Sequence, residues 1–391
     1  MNKPKLLRIT TVPISLYKLL QGQPQYMQQK GFEVILASAN GKEIEQIEKN
    51  TGLKVNILPL TRKISPVTDL KAVYQTYKLI KKHQPDIVHT HTPKAGIIGM
   101  LAAKLAGVPI RMHTVAGMPL METKGLKRKI LNLVEKLTYW CATGVYPNSY
   151  GLKAFILGNK FTRPEKVKVI AHGSSNGIDT NYFNPALFSE NEKTELKRLL
   201  GISNKDFVFI FVGRLVSDKG LNELISTLNR LSHEVTHIKL LLIGNEEPKL
   251  DPLLPQTRKI IRENKNIIST GWVEDVRPYF AVSNALVFPS YREGLPNVVL
   301  QANAMGLPAI VTDINGSNEI INQKENGCII PVKDPDKLYE AMKKFISDRD
   351  LIHQMKLKTR PNIVNRYEQK IVWQALLNEY QQLLKERKLI Q

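Results

Sequence analysis

The chain has 391 residues, 42% apolar and 23% charged, which excludes a mostly disordered polymer and leaves enough sequence for two domains, each with its own core. Fifty-six lysines and arginines stand against 35 acidic residues, a formal charge of +21. Two cysteines, Cys141 and Cys328, exclude a disulfide framework and point to a reducing, cytoplasmic compartment; residues 1–8 lack the apolar core of a signal peptide, and no apolar run reaches the ~18 residues of a membrane span.

Taken in order, apolar runs and helical periodicities alternate through the first half. Strands are expected at 6–10, 32–38, 55–60, 86–91, 110–115, 144–147 and 167–171, with helical patterns at 69–83, 95–106 and 126–142. The stretch from about 174 to 204 is rich in Ser, Asn and Gly before a charged helix, and reads as the interdomain connection. Strands then resume at 207–212, 239–243, 267–270, 285–289, 309–312 and 328–332. Residues 363–388 read as one long helix that caps the second domain or crosses back to the first. Near-continuous apolar strands joined by helices give a parallel sheet covered on both faces. The expected fold is therefore α/β, with two doubly wound, Rossmann-like domains, 1–188 and 189–391. Ligands of such sheets bind outside the strand carboxyl ends, so the chemistry is expected on loops after strands, around a cleft that the two domains share.

The charge is uneven. Residues 1–188 hold 27 basic and 10 acidic side chains, a balance of +17, against 29 and 25 in residues 189–391. The first domain is thus expected to meet an anionic partner, whether nucleic acid, an acidic membrane face or a phosphorylated acceptor; the alternative is a basic surface that serves solubility alone.

Two loops carry anion-binding chemistry. Strand 207–212 runs into Gly213 and Arg214, and Lys219-Gly220 opens a helix. Glycine lets a phosphate approach the backbone, a helix start offers free N–H groups, Arg214 can grip two oxygens and Lys219 adds a point charge. Strand 285–289 leads to Glu293-Gly294-Leu295-Pro296-Asn297, where another helix begins, with Gln301 one turn further on the same face. The N–H groups of that turn suit a diphosphate, and the carboxylate beside them suits sugar hydroxyls.

These loops resemble those of the retaining family 4 glycosyltransferases of the two-domain GT-B fold, through G-R-x-x-x-x-K-G at 213–220 and E-G-x-P at 293–296. The resemblance spans nearly the whole chain and is most specific between Gly213 and Glu319. It implies transfer of a sugar from a nucleotide-sugar with retention of anomeric configuration and without a metal cofactor. It assigns Arg214 and Lys219 to the donor diphosphate and Glu293 to the donor sugar. The nucleobase falls near Gly244 and the loop after Gly271, which carries Trp272 and Val273. Two positions depart from the family. Gln301 stands where a second Glu holds the ribose, and Ala116 replaces the His of a T-V-H-G segment. His113, three residues earlier, is the candidate substitute for that catalytic histidine; the alternative is a core histidine at a strand end. The segments 89–96 and 176–179 look like those of bacterial transferases that build capsule, O-antigen or related glycans on polyprenyl diphosphate carriers. That implies a lipid-linked glycan acceptor and a peripheral position on the anionic inner face of the cell membrane; a UDP-sugar donor is expected from its frequency in the family and not from any residue. A non-catalytic scaffold of the same fold, and a GT-B epimerase or phosphorylase, are the competing readings. Nucleic acid is the weaker partner, since aromatic residues are 7% and no nucleic-acid motif appears.

Four further features have two readings each. His89 and His91 project to one side of a strand, as ligands of a metal or as core residues. Lys94 opposes the dipole of a helix start, so an anion, such as an acceptor phosphate, is expected to compensate it, unless it is simply solvated. Asp334-Pro335-Asp336 has the look of a D-x-D metal site, but an N-cap followed by Pro at the first helical position explains it fully. Leu126, Ile130, Leu133, Val134, Leu137, Trp140 and Cys141 form one helical stripe, with Lys124, Lys127, Arg128, Lys129 and Lys136 mostly off it. That stripe either faces the core or docks the domain on anionic lipid.

Overall fold

The computed structural model describes residues 3–61, 65–118, 120, 123, 125–248 and 251–390. The chain forms two compact units, Met1–Gly177 with Gln369–Gln391, and Ile178–Glu368. The first sheet contains β1 (Lys5–Thr10), β2 (Glu33–Ser38), β3 (Val55–Ile57), β4 (Ile87–His91), β5 (Ile110–Val115) and β6 (Gly144–Pro147). The second contains β7 (Phe207–Val212), β8 (Ile238–Ile243), β9 (Ile267–Gly271), β10 (Ala285–Phe288), β11 (Ala309–Thr312) and β12 (Gly327–Ile330). All pairings within them are parallel, in the orders β3-β2-β1-β4-β5-β6 and β12-β11-β10-β7-β8-β9. Both orders reverse direction once, between β1 and β4 and between β7 and β10. These are the switch points where doubly wound sheets bind ligands.

The apolar runs become strands because both faces of each sheet are covered. Every residue of β4, β6, β10 and β11 is buried. One face of the first sheet packs the helices Pro66–His83, Pro93–Leu105 and Gly125–Cys141. Its other face packs the short helices after β1 and β2 together with the helix Gln369–Glu386. Among the described residues no helix is long and apolar enough to cross a membrane. Cys141 and Cys328 are free thiols in different units.

Three expectations change. Residues 167–171 form no strand; one bridge, Val145 with Val167, is all that joins them to the sheet. The long C-terminal helix is two helices, Arg349–Tyr367 and Gln369–Glu386, and only the second belongs to the first unit. The break falls at Glu368, whose backbone is extended and bridges Ile178, while its carboxylate accepts from Thr180 N. Most of the stripe on helix Gly125–Cys141 faces solvent: of its seven residues only Cys141 is buried and Val134 half-buried. Arg128 belongs to the packed face instead, where it bonds Leu120 O and Asn132; Lys124 lies outside the described residues.

The returning helix is fastened through a buried cation. Arg8 of β1 is fully buried, with Nη1 donating to Tyr380 Oη at 3.0 Å and Nη2 to Gln23 Oε1. Arginine only donates, so the arrangement that keeps all of these contacts as hydrogen bonds has the Tyr380 hydroxyl donating to His89 Nδ1 (2.6 Å), and His89 Nε2–H donating to Thr114 Oγ1 (2.7 Å). His89 therefore has both ring nitrogens occupied by protein, which removes it as half of a metal pair. His91 is buried beside it, and burial holds both imidazoles well below their ordinary pKa.

With the units defined, the charge divides more sharply than by halves. The first unit holds 31 basic and 11 acidic residues, the second 25 and 24.

His113 gives a pH test of this core. Its folded pKa is lowered to about 4 by burial, so the unfolded chain binds the extra proton first as pH falls below about 6.5. Stability is full above that pH and declines toward pH 4, by about 3 kcal/mol from His113 alone. Denaturant unfolding across this range is expected to show a shallower pH dependence in His113→Gln than in the wild type; an unchanged slope would contradict the assignment.

Candidate functional site

The conspicuous polar cluster of the second unit straddles its switch point. Lys219 comes from the loop after β7 and Glu293 from the loop after β10. Their side chains meet at 2.5 Å, each less than one-fifth exposed. Ser290 Oγ also donates to Glu293 Oε1 at 3.0 Å, so the carboxylate is aimed from two directions. Arg292 pairs with Asp218 at 3.0 Å, and Tyr291 N donates to the Asp218 carbonyl at 2.9 Å, which ties the two loops together along their length.

The loops approach because glycine permits it. Gly220 starts the helix Leu221–Leu231 at φ +70°, and a Cβ there would sit 2.1 Å from the Pro289 carbonyl oxygen. Gly316 after β11 has φ +79°, and its Cβ would meet the Gly294 carbonyl oxygen at 2.3 Å. The neighbouring Asn315 Nδ2 donates to the carbonyls of both Glu293 and Gly294, each at 2.8 Å. With the carbonyls turned to Asn315, the N–H groups of Gly294, Leu295, Asn297 and Val298 have no acceptor among the described residues. Pro296 precedes the helix Asn297–Ala304 and supplies no side-chain cap. The result is a set of unpaired donors at a helix start, beside a lysine, and such donors have the chemistry that suits an anion.

The remaining expected residues distribute around this centre. Arg214 is exposed and pairs with Glu247 at 2.9 Å. Gly213 N donates to Ile243 O and Gly244 N to Gly271 O, placing both at the ends of adjacent strands. Trp272 is exposed with its backbone held by Asn245 Oδ1, and Val273 packs half-buried on the core. Leu295 and Pro296 are buried and Asn297 is exposed; Gln301 is half-buried one turn into its helix. All of these belong to the second unit.

His113 does not join an exposed cluster. Its ring is buried, bonds Thr90 Oγ1 at 2.9 Å, and lies against Gly96, where a Cβ would meet it at 2.5 Å. It is a packing histidine of the first core, which corrects its expected catalytic place. Lys94 is compensated by Asp69 at 2.6 Å, so its expected phosphate partner is not needed. Asp334 caps the helix Pro335–Ser347 through Lys337 N, and Asp336 pairs with Arg230, as the capping explanation requires. Sequence reasoning passed over Ser290, Asn315 and Gly316. An Asn-Gly pair after a strand signals a tight turn, but not that it would bond to a loop more than twenty residues earlier.

Residues 206–348 match the family model for glycosyl transferases group 1, and residues 19–149 match that for glycosyl transferase 4-like proteins. The capsular polysaccharide biosynthesis glycosyltransferase CapM of Staphylococcus aureus is 33% identical over 388 residues, 99% of each chain. The UDP-Gal:alpha-D-GlcNAc-diphosphoundecaprenol alpha-1,3-galactosyltransferase of Escherichia coli is 32% identical over 315 residues, 79% of this chain and 78% of that one. In fold, the crystal structure of Anabaena Alr3699/HepE in complex with UDP matches with a TM-score of 0.80 over 97% of this chain and 100% of that one, at 16% identity.

The glycine geometry can be tested without a ligand. Gly201 also has positive φ (+67°), but nothing lies within 4 Å of its would-be Cβ. Gly201→Ala is expected to cost about 1 kcal/mol from backbone strain alone, and Gly220→Ala clearly more, because a carbonyl must also move. Equal losses in denaturant unfolding would show that the two loops are not in contact.

Proposed function

Because the chain belongs to the glycosyltransferase family of capsule and lipid-linked glycan synthesis, we propose that it moves a hexose or N-acetylhexosamine from a UDP-sugar to a glycan carried on polyprenyl diphosphate, with retention of configuration. The observation that carries this reading is the Lys219–Glu293 pair at the second switch point, set beside the unpaired N–H groups of residues 294–298. The E. coli relative is named for a UDP-sugar donor and a diphosphoundecaprenol acceptor, which favours both substrate classes here. The charge of the first unit suits a diphosphate at a membrane surface, and the enzyme works there as a peripheral protein.

In this scheme the donor diphosphate lies over the start of helix Asn297–Ala304, accepting from the free N–H groups. Lys219 exchanges Glu293 for a phosphate oxygen, and Arg214 swings from Glu247 to the same group. Glu293, released from the ammonium, accepts hydrogen bonds from hydroxyls of the donor sugar. Gln301 bonds the ribose as a neutral acceptor and donor, where the family has a carboxylate. Gly213, Gly244, Trp272 and Val273 border the nucleoside. The acceptor oxygen bonds to the anomeric carbon on the face from which the diphosphate departs, and a departing phosphate oxygen takes the acceptor's proton. The protein's work is to stabilise charge as it gathers on the leaving group. No metal is required by this arrangement of cations and backbone donors.

Lys219→Ala and Arg214→Ala are each expected to lower turnover at least a hundredfold, about 3 kcal/mol of transition-state stabilisation. The measurement is a panel of nucleotide-sugars assayed with a polyprenyl-diphosphate-linked sugar. Near-normal turnover in either variant would refute the roles given to these residues. Failure of the wild type to bind any nucleotide-sugar would favour a scaffold of the same fold.

A further inference from the structure

Helix Gly125–Cys141 presents most of its apolar stripe to solvent and turns several polar residues toward the protein. Inward lie Glu135, Thr138 and Tyr139, all buried, with Arg128 bonded to Leu120 O. Burial pushes the Glu135 carboxyl above its usual range. Outward lie Leu126, Ile130, Leu133, Leu137 and Trp140, exposed by 74%, 48%, 68%, 38% and 61%. At 100° per residue these five fall within an arc of about 80°, a continuous ridge along the helix. Lys129 and Lys136 border the ridge on one side and Lys127 on the other. None of the three pairs with a described carboxylate. From the neighbouring helix Pro93–Leu105, the Lys104 ammonium lies over the Trp140 ring.

An exposed apolar ridge of this length is the mark of an interaction surface. Its charge selects the occupant. A second copy docking about a two-fold axis would set the same lysines against each other, like charge on like. An anionic bilayer meets both parts of the surface: aliphatic side chains and an indole enter the headgroup–acyl boundary, and flanking lysines reach lipid phosphates while their stems lie along the apolar face. The lopsided charge, 31 basic against 11 acidic residues in this unit, has the same sign. We propose that the outward ridge of helix Gly125–Cys141, flanked by Lys104, Lys127, Lys129 and Lys136, is the element that docks this protein on anionic lipid. The proposal deepens the transferase reading, which needs the enzyme to reach a lipid-linked acceptor, and its test reads vesicle binding separately from nucleotide-sugar binding.

The full-length protein is sedimented with phosphatidylcholine vesicles, with and without phosphatidylglycerol. The wild type is expected to bind the anionic vesicles at least tenfold more tightly. Leu133→Ser with Trp140→Ser is expected to lose at least tenfold of that binding. Lys127→Gln, Lys129→Gln and Lys136→Gln together are expected to weaken it about a hundredfold, at about fivefold for each lysine near the surface, and to flatten its salt dependence. All five substituted side chains are exposed, so both variants should keep the wild-type unfolding midpoint and nucleotide-sugar affinity. Wild-type vesicle binding by either folded variant would overturn the proposal. So would a wild type that ignores anionic vesicles and instead forms a dimer that the Leu133→Ser, Trp140→Ser variant dissociates. Vesicle binding without nucleotide-sugar binding would sink the transferase reading and leave the docking surface standing; the converse would do the reverse.

Discussion

An ammonium and a carboxylate held 2.5 Å apart, each mostly withdrawn from water, set the terms for the second unit. Neither charge is stable at that depth alone; each depends on the other, or on a replacement of like charge. The pair therefore works as a placeholder. It keeps the loops after β7 and β10 together, and in the proposed reading it is exchanged for a ligand that offers an anion to Lys219 and hydrogen-bond donors to Glu293. A sugar linked to a diphosphate offers both. The rest of the site is arranged to keep that exchange open: Asn315 takes the loop carbonyls, which leaves the N–H groups of residues 294–298 unpaired.

The first unit is organised by a different constraint, a buried arginine without a carboxylate beside it. Arg8 loses some basicity to burial, and its two terminal nitrogens are held by Gln23 and by the hydroxyl of Tyr380, which the chain delivers only on its return from the second unit. Asn176 marks the departure point in the same way, accepting from Gln23 and Trp373. The segments that leave and re-enter the first unit are thus bonded within it, and Thr180 and Glu368 bond to each other at the two ends of the second. This is why residues so far apart in sequence as Arg8 and Tyr380 are needed by one core.

Much of this was legible from the residues. Eleven of the sheet strands announce themselves as apolar runs of the right length, and the short run around Val55 as the twelfth, because parallel strands are buried on both faces. The G-R-x-x-x-x-K-G and E-G-x-P loops were legible because their glycines and charges follow strands directly. Other features depend on contacts that no local pattern encodes. The break at Glu368 is made by Ile178 across nearly the whole second unit, so its helical periodicity runs on through it. His113 looked available beside a variant T-V-H-G segment, yet Gly96 lets a helix close over its ring. On helix Gly125–Cys141 the periodicity located the stripe correctly but is silent about which way a stripe points. Burial of Tyr139 and Thr138 decided that, and left the leucines outside.

The central claim is that Lys219 and Glu293 mark a nucleoside-diphosphate-sugar site within the second unit. Calorimetric titration of UDP into the full-length wild type and Lys219→Met tests it most directly, because UDP carries the anion without the sugar that Glu293 would hold. The account predicts measurable binding by the wild type, a loss of at least tenfold in Lys219→Met, and a smaller change in Glu293→Gln. Equal affinity in the wild type and Lys219→Met would contradict it.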